Sequence, residues 1–200
     1  MMLRLFIAIP LPTAIKEEIV GLGGLLAGAR PVPVEQLHLT LKFIGEVEGS
    51  RRLDIEEVLA EIIRPSFSLC LQGVGTFPPR GVPRVLWAGV QPKDDLMSLR
   101  RSIENKLAEI GISRERQKFQ PHLTLARLNN PSIHHLQQFL AGNALLRSPE
   151  FSVASFCLYK SQLTNGGPLH SRLQTYALQV PVSEGDKGPT NDRQPPFLRQ

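Results

Sequence analysis

The tetrapeptide His-Leu-Thr-Leu occurs twice in the sequence, at residues 38–41 and 122–125. In both copies the leucines alternate with the two polar residues, which is the pattern of a strand with one buried face. Since a strand places residues i and i+2 on the same side, the histidine and the threonine of each copy share one face. Each motif therefore presents an imidazole beside a hydroxyl on a rigid element.

Two such strands in one cleft would bring together His38, Thr40, His122 and Thr124. Imidazoles titrate near pH 6.5, so one histidine can accept a proton while the other donates one. This pair suits phosphodiester hydrolysis without a metal, because a base must deprotonate the attacking water and an acid must protonate the departing alkoxide. The threonine hydroxyls would donate hydrogen bonds to the non-bridging phosphate oxygens.

The segments around the motifs carry a family resemblance. They are RLFIAIPLP, HLTLKFIGEV, PRVLWAGV, FQPHLTLAR and LYKSQL. With them, the sequence resembles the RNA 2',3'-cyclic phosphodiesterases, also called 2'-5' RNA ligases, of the two-histidine (2H) phosphoesterase superfamily. The resemblance covers residues 3 to about 180. It implies a bilobal α+β fold, in which two pseudo-symmetric lobes of sheet and helix each contribute one motif strand to a central cleft.

The resemblance also implies an activity, the opening of a terminal 2',3'-cyclic phosphate on RNA to give a 2'-phosphate. In that reaction His38 would donate a proton to the leaving 3'-oxygen and His122 would accept one from water, while Thr40 and Thr124 bind the phosphate. The near symmetry of the motifs means that the sequence itself does not distinguish the two histidines. The expected partner is RNA with a cyclic phosphate end, with tRNA halves and small cyclic nucleotides as candidates.

Other positions near the motifs follow from alternation or from the resemblance. Lys42 has the same parity as His38, so we predict that it also binds phosphate. Arg127 matches a position that the family tends to keep basic, but alternation places it on the buried face, so a bend must intervene if it is to reach phosphate. Alternation places Phe43 in the core. The segment around His170 is less similar to the family, so no role is assigned to it.

Alternative functions remain open at this level. The same ring of side chains could catalyse the reverse reaction as a 2'-5' RNA ligase, or the protein could be an RNA-binding module that holds phosphate ends without turnover. A metal centre is disfavoured, because no HxH or HExxH pattern and no carboxylate at a matching offset accompanies the histidines. We therefore expect no metal and no cofactor.

The periodicity predicts the elements that must hold these side chains. Strands are expected at 4–9, 37–44, 66–74, 84–90, 122–127, 150–158 and 175–181, and helices at 13–26, 50–63, 94–110 and 133–141. Strands alternate with helices in both halves, so the pattern predicts an α+β or α/β domain and leaves the strand order open.

Composition limits the class of protein. The 200 residues are 42% hydrophobic and carry a net charge of +5, which is typical of a soluble globular chain and compatible with a phosphate-bearing partner. No window approaches the roughly 18 apolar residues of a membrane span. We therefore expect a cytoplasmic monomer, with one two-lobed domain over residues 1–182 and a disordered, charge-neutral tail over 183–200.

Overall fold

A computed structural model describes residues 1–164 and 167–180 of the chain. The strands are β1 (Met2–Pro10), β2 (Ala29–Pro31), β3 (His38–Glu48), β4 (Phe67–Phe77), β5 (Val85–Gln91), β6 (His122–Leu128), β7 (Phe151–Val153), β8 (Ser155–Thr164) and β9 (Gly167–Ala177). The helices are α1 (Thr13–Ile19), α2 (Arg52–Ala60), α3 (Asp94–Glu109) and α4 (Ile133–Gly142). The tail predicted over 183–200 lies outside the described residues.

The strands follow the order β7-β4-β5-β6-β3-β1-β8-β9, and β2 pairs with β6. The two motif strands, β3 and β6, are therefore neighbours at the middle of the order. We call the contact between β3 and β6 the seam. On one side of it lie β1, β8 and β9, and on the other lie β5, β4 and β7. The succession β1-α1-β3-α2 is repeated as β5-α3-β6-α4, so the expectation of two pseudo-symmetric lobes is confirmed.

Apolar side chains of the strands and helices form one continuous core. Leu39 and Leu41 of the first motif and Leu123 of the second are fully buried in it, as are Ile103 and Leu107 of α3. This burial is what fixes the opposite face of each motif strand as the side that meets solvent. Among the described helices, none is long and apolar enough to cross a membrane.

Helix α1 is shorter than the periodicity predicts. It ends at Ile19 and is followed by a 3-10 turn over Leu22–Gly24. Glycine is a poor helix former, which favours this end. A second reason is packing, since a Cβ atom on Gly23 would lie 2.5 Å from the carbonyl oxygen of Leu125. The glycine lets the turn approach the backbone of the second motif.

The final strand also differs from the prediction. The apolar pattern predicts a strand at 175–181, whereas β9 spans Gly167–Ala177 and pairs with β8 along its whole length. The first part of β9 projects beyond the core, with Leu169 half exposed. Because this part buries neither face, it lacks the alternation by which the other strands were recognised.

Each motif strand contains a bulge just after its threonine. Between the pairs Ala8–Thr40 and Ile7–Lys42, β3 has one residue more than β1. The same shift occurs in β6, which has an extra residue between its pairs with Trp87 and Leu86. A bulge moves the following side chains to the opposite faces of the strand. The sequence predictions assumed that side chains alternate regularly between the two faces of each strand. After Leu41 and Leu125 the observed faces are the reverse of the predicted ones.

The bulge makes the predicted placement of Lys42 wrong. Its side chain is 2% exposed and points to the helix side of the sheet, where Nζ lies 3.0 Å from Oε2 of Glu104 in α3. The ammonium also donates a hydrogen bond to the carbonyl oxygen of Ser113 at 2.9 Å. Lys42 therefore holds β3 to α3 and does not face the cleft with His38.

Candidate active site

A cleft of about 540 Å³ is lined by both motif strands. His38 and Thr40 of β3 and Thr124 of β6 all contribute to it. The register explains this, because Leu39 pairs with Leu123 in the antiparallel contact of the two strands. Their neighbours on either side consequently point to the opposite face from the leucines, which is the face of the cleft.

The two histidines are anchored in the same way. His38 Nδ1 lies 2.6 Å from the carbonyl oxygen of Gln36, and His122 Nδ1 lies 2.8 Å from that of Gln120. A carbonyl oxygen only accepts, so Nδ1 carries the proton in each ring. Nε2 is then the nitrogen that accepts a proton when the ring is neutral and donates one when it is charged. The repeat is thus Gln-x-His-Leu-Thr-Leu, two residues longer than the sequence analysis recognised.

His38 lies deep in an aromatic cluster. Its ring centroid is 5.0 Å from that of Phe6, 6.1 Å from that of Tyr159 and 5.3 Å from that of His170. Burial lowers the pKa of His38 to about 4; the bond to Gln36 opposes this shift, while the electrostatic influence of the neighbouring His170 and Lys16 adds to it. In the free protein at neutral pH this imidazole is uncharged.

His122 has a matching environment on the other side of the seam. Its ring lies 4.8 Å from that of Phe77 and 6.5 Å from that of Trp87. Burial lowers the pKa of His122, and Arg127 contributes in the same direction. Within the described part of the chain, the lining of the cleft includes Thr124 but not His122. The cross-strand register nevertheless places His122 opposite Thr40, on the same face of the sheet.

The bulges bring one residue of each strand back to the cleft. These are Phe43 and Arg127, which each stand five positions after a motif histidine and line the cleft. For Arg127, the bulge is the bend that the sequence analysis required. Phe43 was predicted in the core, and this is wrong, since its side chain is 62% exposed. Aligning the two motifs would have revealed the equivalence of Phe43 and Arg127.

Three arginine side chains line the cleft. Arg30 of β2 pairs in register with Arg127, and both line the cleft together with Arg4 of β1. Three guanidinium groups around two neutral imidazoles favour an anionic ligand that carries several oxygen acceptors. Arg4, Arg30 and His170 were not predicted to line the cleft. Arg30 and His170 lie outside the segments that carry the resemblance, Arg4 in RLFIAIPLP was given no role, and the strand pairing brings all three to the cleft.

The described residues include no group of three or more His, Cys, Asp or Glu side chains placed to hold a metal ion. The side chains at the cleft and its edge offer two imidazoles, two hydroxyls and three guanidinium groups. This set can activate water, protonate a leaving oxygen and stabilise negative charge on a phosphate.

The sequence matches known proteins over most of its length. Residues 12–165 match the family model of the 2'-5' RNA ligase superfamily. The RNA 2',3'-cyclic phosphodiesterase of Archaeoglobus fulgidus is 34% identical over 180 residues, which cover 87% of this chain and 99% of the relative. That of Escherichia coli is 30% identical over 184 residues, or 88% of this chain and 96% of the relative.

Solved structures of similar proteins share the fold. TT0787 of Thermus thermophilus superposes with a TM-score of 0.74 at 28% identity, covering 90% of this chain and 100% of the other. LigT of Escherichia coli complexed with 3'-AMP gives a TM-score of 0.71 at 29% identity, with 89% and 99% covered. These similarities extend across both lobes and include both motif strands.

Proposed function

Because the chain belongs to the 2'-5' RNA ligase superfamily, we propose that it is an RNA 2',3'-cyclic phosphodiesterase. The substrate is an RNA end that carries a 2',3'-cyclic phosphate, and the product is a 2'-phosphomonoester. The reaction uses acid–base catalysis by His38 and His122 and requires no metal ion. Full-length relatives named for this activity support the substrate class.

The observation that carries the proposal is the symmetric anchoring of the two histidines. Each ring donates Nδ1–H to the carbonyl oxygen two residues earlier, so each Nε2 is left for proton transfer. A pair of imidazoles held in the same tautomer on adjacent strands is the arrangement that concerted protonation and deprotonation need.

In the proposed reaction, water attacks phosphorus and the bond from phosphorus to the 3'-oxygen breaks. His122 accepts the proton of the water, and His38 donates a proton to the departing 3'-oxygen, as the family resemblance implies. Burial leaves His38 uncharged in the free protein. The anionic phosphate favours the charged imidazole, so His38 takes up its proton together with the substrate.

The phosphate is held by groups from both lobes. Thr40 and Thr124 donate hydrogen bonds to its non-bridging oxygens, and Arg127 offers a planar pair of N–H donors. Negative charge develops on these oxygens when water adds, so the same contacts strengthen in the transition state. Lys42 has no part in this binding, because its ammonium is paired with Glu104 on the far face of the sheet.

The test is cleavage of an oligonucleotide that ends in a 2',3'-cyclic phosphate, with and without EDTA. The wild-type protein is expected to give a 2'-phosphate at the same rate in both conditions. Loss of a general acid or base costs about 10² to 10⁴ in rate, so His38→Ala and His122→Ala should each nearly abolish turnover. His134→Ala, on the exposed surface of α4, is the matched control and should retain full activity.

Three outcomes would contradict the proposal: near-wild-type turnover by either cleft variant, dependence on a divalent ion, or tight binding of the RNA end without any product. The same incubation with two RNA fragments tests ligation, which uses the same transition state in the reverse direction and would appear as a joined 2'-5' product. A monomeric state, a cytoplasmic location and tRNA halves as substrates stay predictions.

A further inference from the structure

A third histidine borders the cleft beside His38. His170 belongs to the part of β9 that projects past the core, and its ring packs against Phe6 and His38. The ring centroids are 4.8 Å and 5.3 Å apart, and the planes are inclined by 71° and 86°. His170 is therefore packed against two neighbouring rings, although no sequence motif identifies this residue.

The two ring nitrogens of His170 have different surroundings. Nδ1 is buried and has no hydrogen-bond partner, whereas Nε2 is not such an atom and belongs to a side chain that lines the cleft. A neutral imidazole has one N–H, and a buried N–H without an acceptor is rarer and more costly than a buried acceptor without a donor. Burial, with a smaller contribution from the charge of Arg4, lowers the pKa of His170 and so favours the neutral ring. The proton therefore lies on Nε2.

This tautomer is the opposite of that in the motif histidines. His38 and His122 donate Nδ1–H to backbone carbonyls and keep Nε2 as a proton acceptor. His170 instead offers Nε2–H, a hydrogen-bond donor that persists whether the ring is neutral or charged. Such a donor can bind a phosphate oxygen in either protonation state. A nitrogen that already carries a hydrogen cannot accept the proton that a general base must accept.

We propose that His170 is a substrate-binding residue that donates a hydrogen bond from Nε2 to a phosphate oxygen of the RNA end lying beside His38. The inference rests on the proposed function for the identity of the ligand. His170 and Arg4, which also lines the cleft, together give the first lobe a pair of phosphate donors. The second lobe also contributes a hydrogen-bond donor for phosphate, since Arg127 lines the cleft.

Two substitutions separate binding from packing. His170→Phe keeps a ring against Phe6 and His38 but removes both nitrogens, while His170→Gln removes the ring but places an amide N–H near the position of Nε2. A binding role predicts that phenylalanine is the more harmful change and that glutamine restores affinity. A packing role predicts the reverse order. His134→Gln on the exposed face of α4 is the matched control.

The experiment measures KM and kcat with a nucleoside 2',3'-cyclic monophosphate, the affinity for the corresponding nucleoside 2'-monophosphate by calorimetry, and thermal unfolding. For His170→Phe we expect KM and the dissociation constant to rise about 10- to 100-fold, the size of one hydrogen bond to a charged group, with an unchanged or higher unfolding temperature. His170→Gln should remain within about twofold of the wild type in KM.

Equal affinity of His170→Phe and wild type, or weaker binding by His170→Gln than by His170→Phe, would overturn the inference. The calorimetric measurement needs no turnover, so it reports on His170 even if the wild-type protein fails to open the cyclic phosphate. Failure of the proposed function is seen as absence of wild-type product. Failure of the present inference is seen as wild-type affinity in the phenylalanine variant.

Discussion

Leu39 of β3 lies directly opposite Leu123 of β6, and both side chains are fully buried. Because the strands are antiparallel, this pair sets His38 across from Thr124 and Thr40 across from His122. Each histidine of one lobe thus has the threonine of the other lobe as its cross-strand neighbour. The four motif side chains are therefore brought together at the contact between β3 and β6, and the proposed mechanism needs both lobes.

Removal of the Arg127 guanidinium should weaken phosphate binding. The bulge after Thr124 places this side chain in the cleft, and a hydrogen bond to a charged group contributes about 1.5–3 kcal/mol. We expect Arg127→Met to raise KM about 10- to 100-fold. Arg127→Lys should recover only part of the loss, because an ammonium cannot donate in parallel to two phosphate oxygens. Steady-state kinetics at several salt concentrations provide the measurement.

Arg101→Met is the control for the change in net charge, since Arg101 is exposed on α3 and its guanidinium contacts Ser98. Its KM should stay within about twofold of the wild type. The assignment of Arg127 to the phosphate would be contradicted if both methionine variants had the same KM, or if affinity fell equally for both as salt was added.

Loss of the Lys42 ammonium should affect stability more than catalysis. Breaking a buried ion pair typically costs about 3–5 kcal/mol when it leaves an uncompensated charge. Here Oε2 of Glu104 would lose its partner, but Oε1 keeps its contact with Arg100 at 2.9 Å. Lys42→Met should therefore lower the free energy of unfolding measurably in urea titrations, but by less than this amount. The folded fraction should keep the wild-type KM, because Lys42 does not face the cleft.

The double-mutant cycle of Lys42→Met and Glu104→Met should give a favourable coupling energy between the two side chains, and it separates this contact from the one that Glu104 makes with Arg100. Lys106→Met is the surface control. Its ammonium pairs with Glu61 and Glu109 on the exposed side of α3, where water screens such pairs and they add little to stability. A Lys42→Met protein of normal stability but raised KM would show that Lys42 binds phosphate after all.

The sequence was sufficient to predict the elements that bury one face. Alternation identified β3 and β6, and helical periodicity identified α3 nearly to its observed ends at Asp94 and Glu109. The family resemblance supplied the lobes and their cleft. These features depend on local patterns of apolar residues, and such patterns are visible in a single chain.

Alternation failed where a strand departs from the regular period. A bulge adds one residue without any signal in the apolar pattern, so Lys42 and Phe43 were assigned to each other's faces. His170 was missed for another reason. It reaches the cleft only through the pairing of β9 with β8 and of β8 with β1, and such long-range pairing is not encoded in the residues next to it.

The pH dependence of turnover should be bell-shaped and should differ between kcat/KM and kcat. At low pH both motif histidines are charged and no base remains, whereas at high pH both are neutral and no acid remains. Burial lowers the pKa of His38 and that of His122 in the free protein. The two apparent pKa values of the kcat/KM profile should therefore both lie below 6.5. Bound phosphate raises both pKa values, which moves the kcat profile to higher pH.

Initial rates at saturating and at low substrate concentration, from about pH 4 to 9, test this displacement. The two apparent pKa values belong to the coupled pair, so they are compared between profiles rather than assigned to single residues. A profile with one limb, or a kcat/KM optimum above that of kcat, would contradict a pair of buried histidines that take up a proton with the substrate.

The buried imidazole of His38 should also make folding stability depend on pH. Its pKa is about 4 in the folded protein and ordinarily 6.5, so below pH 6.5 the unfolded chain binds the additional proton. The free energy of unfolding is therefore expected to be highest above pH 6.5 and to fall as the pH drops towards 4. A difference of this size corresponds to about 3 kcal/mol. In urea titrations at pH 7, 6, 5 and 4.5, His38→Gln should give a shallower decline than the wild type, with the remaining slope due to groups such as His122. Parallel declines of the two proteins would show that His38 is not buried in its neutral form.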